Sequence, residues 1–280
     1  MSPVLSIRDL RLEFGSKQRP VQILRGVSLD LEAGRIQGLA GESGSGKSMT
    51  AFTVLGLAPS NARIAGSIRL HDTELVGASR KVLESVRGRR IAMVFQDPSM
   101  SLHPQMSVGA QLTDHVRAHF KMNRSQARDR AVELLTQVHV PRPENALTRY
   151  PHQFSGGQRQ RIAIAVALAC DPEVLLADEP TTALDVTVQA GVLHLLRELA
   201  AERQLAVLLV THDLGVMSAV ADRVAVMRHG EILEEGERRA IFTDPQNPYT
   251  RSLLDALPQA HMAERFAGSA GHELREGEHG

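Results

Sequence analysis

Tryptophan is absent from this 280-residue chain, and aromatic residues make up only 3% of it. Platforms that stack nucleobases need such rings, so the composition argues against a single-strand nucleic-acid binder. An excess of either charge is missing too. The 32 Lys and Arg balance 32 Asp and Glu, and no overall field draws the chain to a polyanion. One cysteine, Cys170, precludes an intramolecular disulfide. It closes an apolar run, which suits a small buried side chain better than a reactive thiol. The longest apolar run, residues 162–170, is far short of the roughly 18 residues that span a bilayer. The opening residues MSPVLSIRD lack the basic-then-apolar order of a signal peptide, so a cytoplasmic protein is expected. The only compact basic run, Arg87-Gly-Arg-Arg90, is expected to be a solvated turn.

Against these absences stands an ordinary globular composition, 42% hydrophobic and 23% charged, with room for one or two domains. Residues 41–48 read GESGSGKS and fit G-x-x-x-x-G-K-[ST] at every position. A short apolar strand candidate, residues 35–40, precedes them, and residues 49–55 can start a helix. That strand–loop–helix context is what gives the motif its chemistry. Gly41, Gly44 and Gly46 allow the backbone close to phosphates because no Cβ intervenes. Glu42, Ser43 and Ser45 complete a loop whose N–H groups, with the helix N-terminus, turn partial positive charge on the anion. Lys47 is placed for the β- and γ-phosphates of a nucleotide such as ATP, and Ser48 for Mg²⁺.

A second apolar strand candidate, residues 174–178, ends in Asp178 and Glu179. An uninterrupted run of this kind suits a parallel strand buried on both faces. Ligands of α/β sheets collect at the carboxyl ends of strands. Asp178 is therefore expected to hold Mg²⁺ directly or through water, and Glu179 to polarise an attacking water. A third motif, Gln153-Phe-Ser-Gly-Gly-Gln-Arg-Gln-Arg161, precedes a helix candidate at 158–169. Ser155, Gly156 and Gly157 open that helix, and its first N–H groups make a second anion site.

Together these motifs resemble the nucleotide-binding subunits of ABC transporters. Phe154-Ser155-Gly156-Gly157-Gln158 is similar to the LSGGQ signature, with Phe in place of Leu. Gln96, after strand candidate 91–95, resembles the Q-loop. Ala183-Leu-Asp185 resembles the D-loop, and His212, after strand candidate 205–210, the switch histidine. The resemblance covers roughly residues 5–245. It implies that Phe14 stacks on adenine and that His212 reads the γ-phosphate. Gln96 would add a metal ligand and link the nucleotide to a transmembrane partner. ATP would then lie between the P-loop of one subunit and Ser155–Gln158 and Asp185 of another, in a head-to-tail dimer that hydrolysis releases.

Strand and helix patterns alternate from 35 to 227, implying a P-loop NTPase core with a mostly parallel sheet. Period-two patterns at Leu10, Leu12, Phe14 and at Val27, Leu29, Leu31 imply an N-terminal antiparallel β subdomain. Ala127, Ala131, Leu134, Leu135 and Val138 share a helical face behind a candidate cap, Ser125. They suggest a helical signature subdomain inserted at about 100–170. The ATP-binding domain is expected over 1–245, and a C-terminal extension over 246–280. That extension holds a short helix with Tyr249, Leu253, Leu254 and Leu257 on one side, then a Gly/Glu/His-rich stretch, 259–280, expected to be disordered. Its histidines, His261, His272 and His279, are too scattered for a metal site.

The extension, with residues 96–104 and 178–189, is similar to the oligopeptide/dipeptide/nickel importer branch. The tail lacks the cysteine cluster that holds an iron–sulfur centre in many relatives, so that cofactor is not expected. The resemblance implies an ATPase peripheral on the cytoplasmic membrane face, with ATP and Mg²⁺ as cofactors. Its implied partners are a second ATPase subunit, alike or identical, two transmembrane permease subunits and, indirectly, an extracytoplasmic substrate-binding protein, with no nucleic acid. The rival is a non-transport ATPase of the same fold acting on DNA or ribosomes, with an exporter subunit a weaker third.

Overall fold

The computed structural model describes residues 2–16, 19–182 and 184–256. Two sheets make up its frame. The first is antiparallel, built from β1 (Leu5–Ser16), β2 (Arg19–Leu31), β4 (Arg63–Leu70) and β5 (Thr73–Glu74) in the order β2-β1-β4-β5. The second has six strands in the order β10-β9-β3-β8-β7-β6. They are β3 (Ile36–Ala40), β6 (Ile91–Val94), β7 (Val174–Asp178), β8 (Ala206–Thr211), β9 (Arg223–Arg228) and β10 (Glu231–Glu237). All run parallel except β10, which pairs back on β9 through the His229-Gly230 hairpin. The expected P-loop NTPase core and antiparallel N-terminal subdomain are both present.

Helices α1 (Lys47–Val54) and α2 (Arg80–Val86) precede β6. Between β6 and β7 lie α3 (Val108–His119), α4 (Arg124–Gln137), α5 (Pro143–Ala146) and α6 (Gly156–Ala167). Helices α7 (Val186–Arg203) and α8 (Leu214–Val220) flank β8, and α9 (Arg238–Thr243) and α10 (Pro248–Asp255) follow β10. No helix among the described residues is long and apolar enough to cross a membrane.

Every residue of β3, β7 and β8 is buried, and their side chains alternate between two cores. Leu175, Ala177, Val207 and Leu209 join α3–α9 in one cluster. Val174, Leu176, Leu208 and Val210 join α1 and the antiparallel sheet in the other. The unbroken apolar runs of the sequence arise from this two-sided burial. The inserted helices share the first cluster with the sheet, so their packing is continuous with the central core.

Several boundaries differ from the sequence reading. The cap of α4 is Asn123, not Ser125. Asn123 Oδ1 accepts from Gln126 N at 3.0 Å, and Gln126 Oε1 accepts from Asn123 N at 3.0 Å, a reciprocal capping box. Helix α6 is opened by Ser155, Gly156 and Gly157 as expected, its first helical residue being Gly156 with Ser155 as the cap, and it ends at Ala167, two residues before the expected Ala169. Leu257, the tail 259–280 with its three histidines, and Ala183 lie outside the described residues. Cys170 is buried, as expected, and burial pushes its thiol up to about 11.

The basic run at 87–90 is not a merely solvated turn. Arg90 pairs with Glu173. Arg87 Nε and Nη2 donate to Leu55 O and Gly56 O, both at 2.7 Å, covering carbonyls at the end of α1. Charge-assisted bonds of this kind contribute about 1.5–3 kcal/mol. Arg87→Ala is expected to lower stability by about 2 kcal/mol in a denaturant titration, and Arg87→Lys to restore only part, since it lacks the fork. An unchanged midpoint in Arg87→Ala would return the run to a solvated role.

Candidate functional site

β3 ends at Ala40, and residues 41–46 wrap over its carboxyl end before Lys47 begins α1. Gly41 (φ 150°) passes so close to β9 that a Cβ there would stand 2.1 Å from Met227 O. Only glycine allows that approach. Lys47 is 5% exposed. Its Nζ donates to Gly41 O at 2.7 Å and Glu42 O at 2.8 Å, so the cation is held by its own loop. Burial lowers its pKa, opposed by the charges of Glu179, Asp178 and Glu42.

Asp178, at the end of β7, is 6% exposed and accepts from Ser48 Oγ at 2.8 Å. Its pKa is raised by burial, against the Ser48 hydrogen bond that favours the carboxylate; Glu179 adds to the rise and Lys47 opposes it. Glu179 has φ 46°, a left-handed conformation that strains a non-glycine residue, and its N–H donates to Val210 O at 2.8 Å. Three groups converge on its carboxylate. His212 Nδ1 lies 2.8 Å from Oε1, Gln96 Nε2 donates to Oε2 at 3.1 Å, and Thr182 Oγ1 donates to Oε2 at 2.9 Å.

A cavity of about 850 Å³ opens between the loop and these side chains. Its walls include Gly41, Glu42, Ser43, Gly44, Gly46, Lys47, Ser48, Gln96, Glu179 and His212. Ser45 is buried behind them, its Oγ 3.4 Å from Lys47 Nζ. Loop amides, a cation and a hydroxyl–carboxylate pair on one wall can hold a polyphosphate, and an ionised Glu179 opposite can take a proton.

Other expected site residues stand apart from this cavity. Phe14 is paired with Val21 across β1–β2 and packs half-buried against the core. Ser155 Oγ accepts from Gln158 N at 3.3 Å, and Gln158 Oε1 from Ser155 N at 3.2 Å, capping α6 ahead of Gly156 and Gly157. Asp185 Oδ1 accepts from Val188 N at 3.0 Å and caps α7.

Thr182, Ile23, Met49, Leu214 and Leu253 also line the cavity and were not singled out for it by sequence. Thr182 lies three residues after Glu179, which was its available signal. Leu253 comes from α10, where Arg228 lies over the Tyr249 ring, 4.4 Å from its centroid. The C-terminal helix is thereby part of the cavity wall.

The ABC transporter family profile matches residues 24–182. The chain belongs to the ABC transporter family. It is similar to the dipeptide transport ATP-binding protein DppD of Bacillus subtilis (strain 168), 46% identical over 94% of this chain and 79% of that one. It is also similar to the oligopeptide transport ATP-binding protein OppD of Salmonella typhimurium, 43% identical over 91% of this chain and 76% of that one. Among solved structures, a dimeric ATP-binding cassette, MJ0796, in a post-hydrolysis state bound to ADP and Pi, has a TM-score of 0.73 and 28% identity. That match covers 84% of this chain and 99% of the cassette. CbiO1 of Clostridium perfringens, part of the ABC transporter complex cbiONQ, has a TM-score of 0.75 and 26% identity, covering 93% and 98%. This ABC protein is an ATPase, and its ABC domain binds ATP.

The hydrogen bonds on Glu179 carry a pH signature. Burial works against its charge, but hydrogen bonds from His212 and Thr182 and the charges of His212 and Lys47 outweigh it, leaving the pKa below the usual glutamate value. A depressed carboxylate pKa stabilises the fold above the ordinary glutamate range, and that contribution is lost as pH falls through the lowered value. His212→Ala is expected to move the Glu179 titration upward, followed by ¹³C NMR of labelled glutamate carboxyls. An unshifted or lowered titration would contradict this balance.

Proposed function

We propose that this chain is the ATP-hydrolysing subunit of an importer that carries di- or oligopeptides across the cytoplasmic membrane. It would sit peripherally on the cytoplasmic face, paired with a like or identical ATPase subunit and docked on two transmembrane permease subunits. An extracytoplasmic binding protein would deliver the cargo. The dipeptide and oligopeptide transport names of its relatives support peptides over nickel. They also speak against a DNA- or ribosome-directed ATPase, as does the zero formal net charge.

One observation carries the mechanism. A carboxylate with a lowered pKa faces the Lys47 loop across the cavity, while the Ser155 helix start stands outside that cavity. Lys47 and the loop amides bind and orient the β- and γ-phosphates. Ionised Glu179 orients a water and accepts its proton at the carboxylate. Gln96 and His212, both bonded to Glu179, hold that carboxylate in place and face the γ-phosphate end. The donor set fits Mg²⁺: the Ser48 hydroxyl and the buried Asp178 carboxylate are hard oxygens 2.8 Å apart, with Gln96 on the same cavity. When bound, Mg²⁺ neutralises charge on the β/γ-phosphates. Phe14 supplies the ring for adenine. The signature residues Ser155, Gly156, Gly157 and Gln158, together with Asp185, act on the nucleotide of the neighbouring subunit.

Glu179→Gln is expected to bind ATP as the parent does and to lose at least a hundredfold in hydrolysis, about 3 kcal/mol of barrier, with a dimer accumulating in ATP. Parent-like turnover in phosphate-release assays would remove Glu179 from the role of base. Ser155→Arg separates the two halves of the site. The isolated subunit is expected to keep its ATP affinity by calorimetry while hydrolysis is lost. Loss of ATP binding by that variant would mean the signature acts within its own chain, and the shared site would be abandoned.

A further inference from the structure

Helix α3 carries His115 and His119 one turn apart, and their rings meet edge to face with centroids 5.0 Å apart. Cys170, three residues beyond the end of α6, reaches the same place. One ring nitrogen from each histidine and the Cys170 Sγ all lie within 4.8 Å of one another. Among the described residues no other three His, Cys, Asp or Glu side chains offer such a group. The backbone of Gly88 (φ 71°) closes one side of it. A Cβ at Gly88 would stand 3.2 Å from His115 Cε1, 3.5 Å from His115 Nε2 and 3.8 Å from His119 Nε2, so both rings lie close against this glycine and a side chain there would crowd them. His115 and Gly88 also border a cavity of about 300 Å³, which supplies a path from solvent.

From this arrangement we infer a metal site that is separate from the nucleotide cavity: His115, His119 and Cys170 bind a divalent ion of the zinc class. Two imidazoles and a thiolate are a borderline-soft donor set, which selects Zn²⁺ over the hard Mg²⁺ of nucleotide chemistry. Zinc–nitrogen bonds of about 2.0–2.1 Å and zinc–sulfur bonds of about 2.3 Å put tetrahedral ligand atoms about 3.3–3.7 Å apart. The present spacing reaches up to 4.8 Å, so binding would draw the three side chains together. Three protein ligands leave the fourth position to water. Arg130 and Arg89 act on Cys170 electrostatically, but Arg130 is already paired with Glu133 and Asp171, which limits its opposition to a cation. Binding would exchange the thiol proton for the metal and clamp α3 to the end of α6 beside the turn at Gly88.

Cys170 is the chain's single cysteine, so the test has one source of signal. The full chain, stripped by chelator, is titrated with Co²⁺. The expected result is a thiolate-to-cobalt charge-transfer band that saturates at one equivalent and disappears when Zn²⁺ is added. Cys170→Ser should abolish the band. The half-buried His119 can be changed with less risk to folding, and His119→Ala should weaken Co²⁺ binding at least tenfold. Zn²⁺ should raise the thermal midpoint of the parent and not of His119→Ala. No band in the parent overturns the site. So does zinc uptake without a band, which would put the ion on other imidazoles, or a band whose affinity His119→Ala leaves unchanged.

Discussion

The Glu179 carboxylate is bonded to side chains from two further segments of chain, Gln96 after β6 and His212 after β8, and to Thr182 of its own loop. These meet because β6, β7 and β8 are adjacent and parallel, so all three chain exits fall on one edge of the sheet. A change of register in β7 would carry Asp178 and Glu179 to the wrong depth and exchange the two cores. Such a slip is opposed by burial of every β7 residue, since each apolar side chain already fills one of the two cores. The constraint that places the chemistry is thus the packing of an apolar strand, and the polar site is its terminus.

Two buried ions share this edge, and each is offset locally. Lys47 surrounds its ammonium with loop carbonyls, while Asp178 takes a serine hydroxyl. A buried charge lacking such partners would cost several kcal/mol. The opposed pKa directions, Lys47 lowered and Asp178 raised, both follow from burial working against charge. An anionic ligand bound at the loop lessens that conflict for Lys47, and a cation lessens it for Asp178. The proposed site would therefore favour a polyphosphate together with its counter-ion over either one alone.

Much of this was legible in the sequence because the motifs are local. GESGSGKS, the Asp178-Glu179 pair and the Ser155–Gln158 cap each lie within a few residues, and the order of strands between them follows from apolar runs. What was not legible depends on contacts distant in sequence. Nothing near Arg87 says that its fork covers carbonyls 31 and 32 residues earlier, or that Arg90 pairs with a residue 83 later. Leu253 reaches the cavity only through the docking of α10, and the pairing of Cys170 with α3 depends on how α3 and α6 pack. The misplaced cap of α4 has another cause. Asn123 and Ser125 are both good caps, and the reciprocal Gln126 bond decides for Asn123.

The residues outside the cavity follow a rule of their own. Ser155 and Asp185 each spend their side chains on the first turn of a helix, so neither helix start depends on a ligand for its order. Gly156 is half-buried at the α6 start and Gly157 is buried behind it, so this first turn is held in a fixed orientation. A preformed anion site away from its own P-loop adds little to nucleotide binding by one chain. In the proposed dimer it adds its contacts only when two subunits close on one ATP, and it loses the γ-phosphate partner after hydrolysis. The interaction that joins the subunits is then strong only before the bond breaks, and this difference in contact energy is what lets a chemical step drive separation.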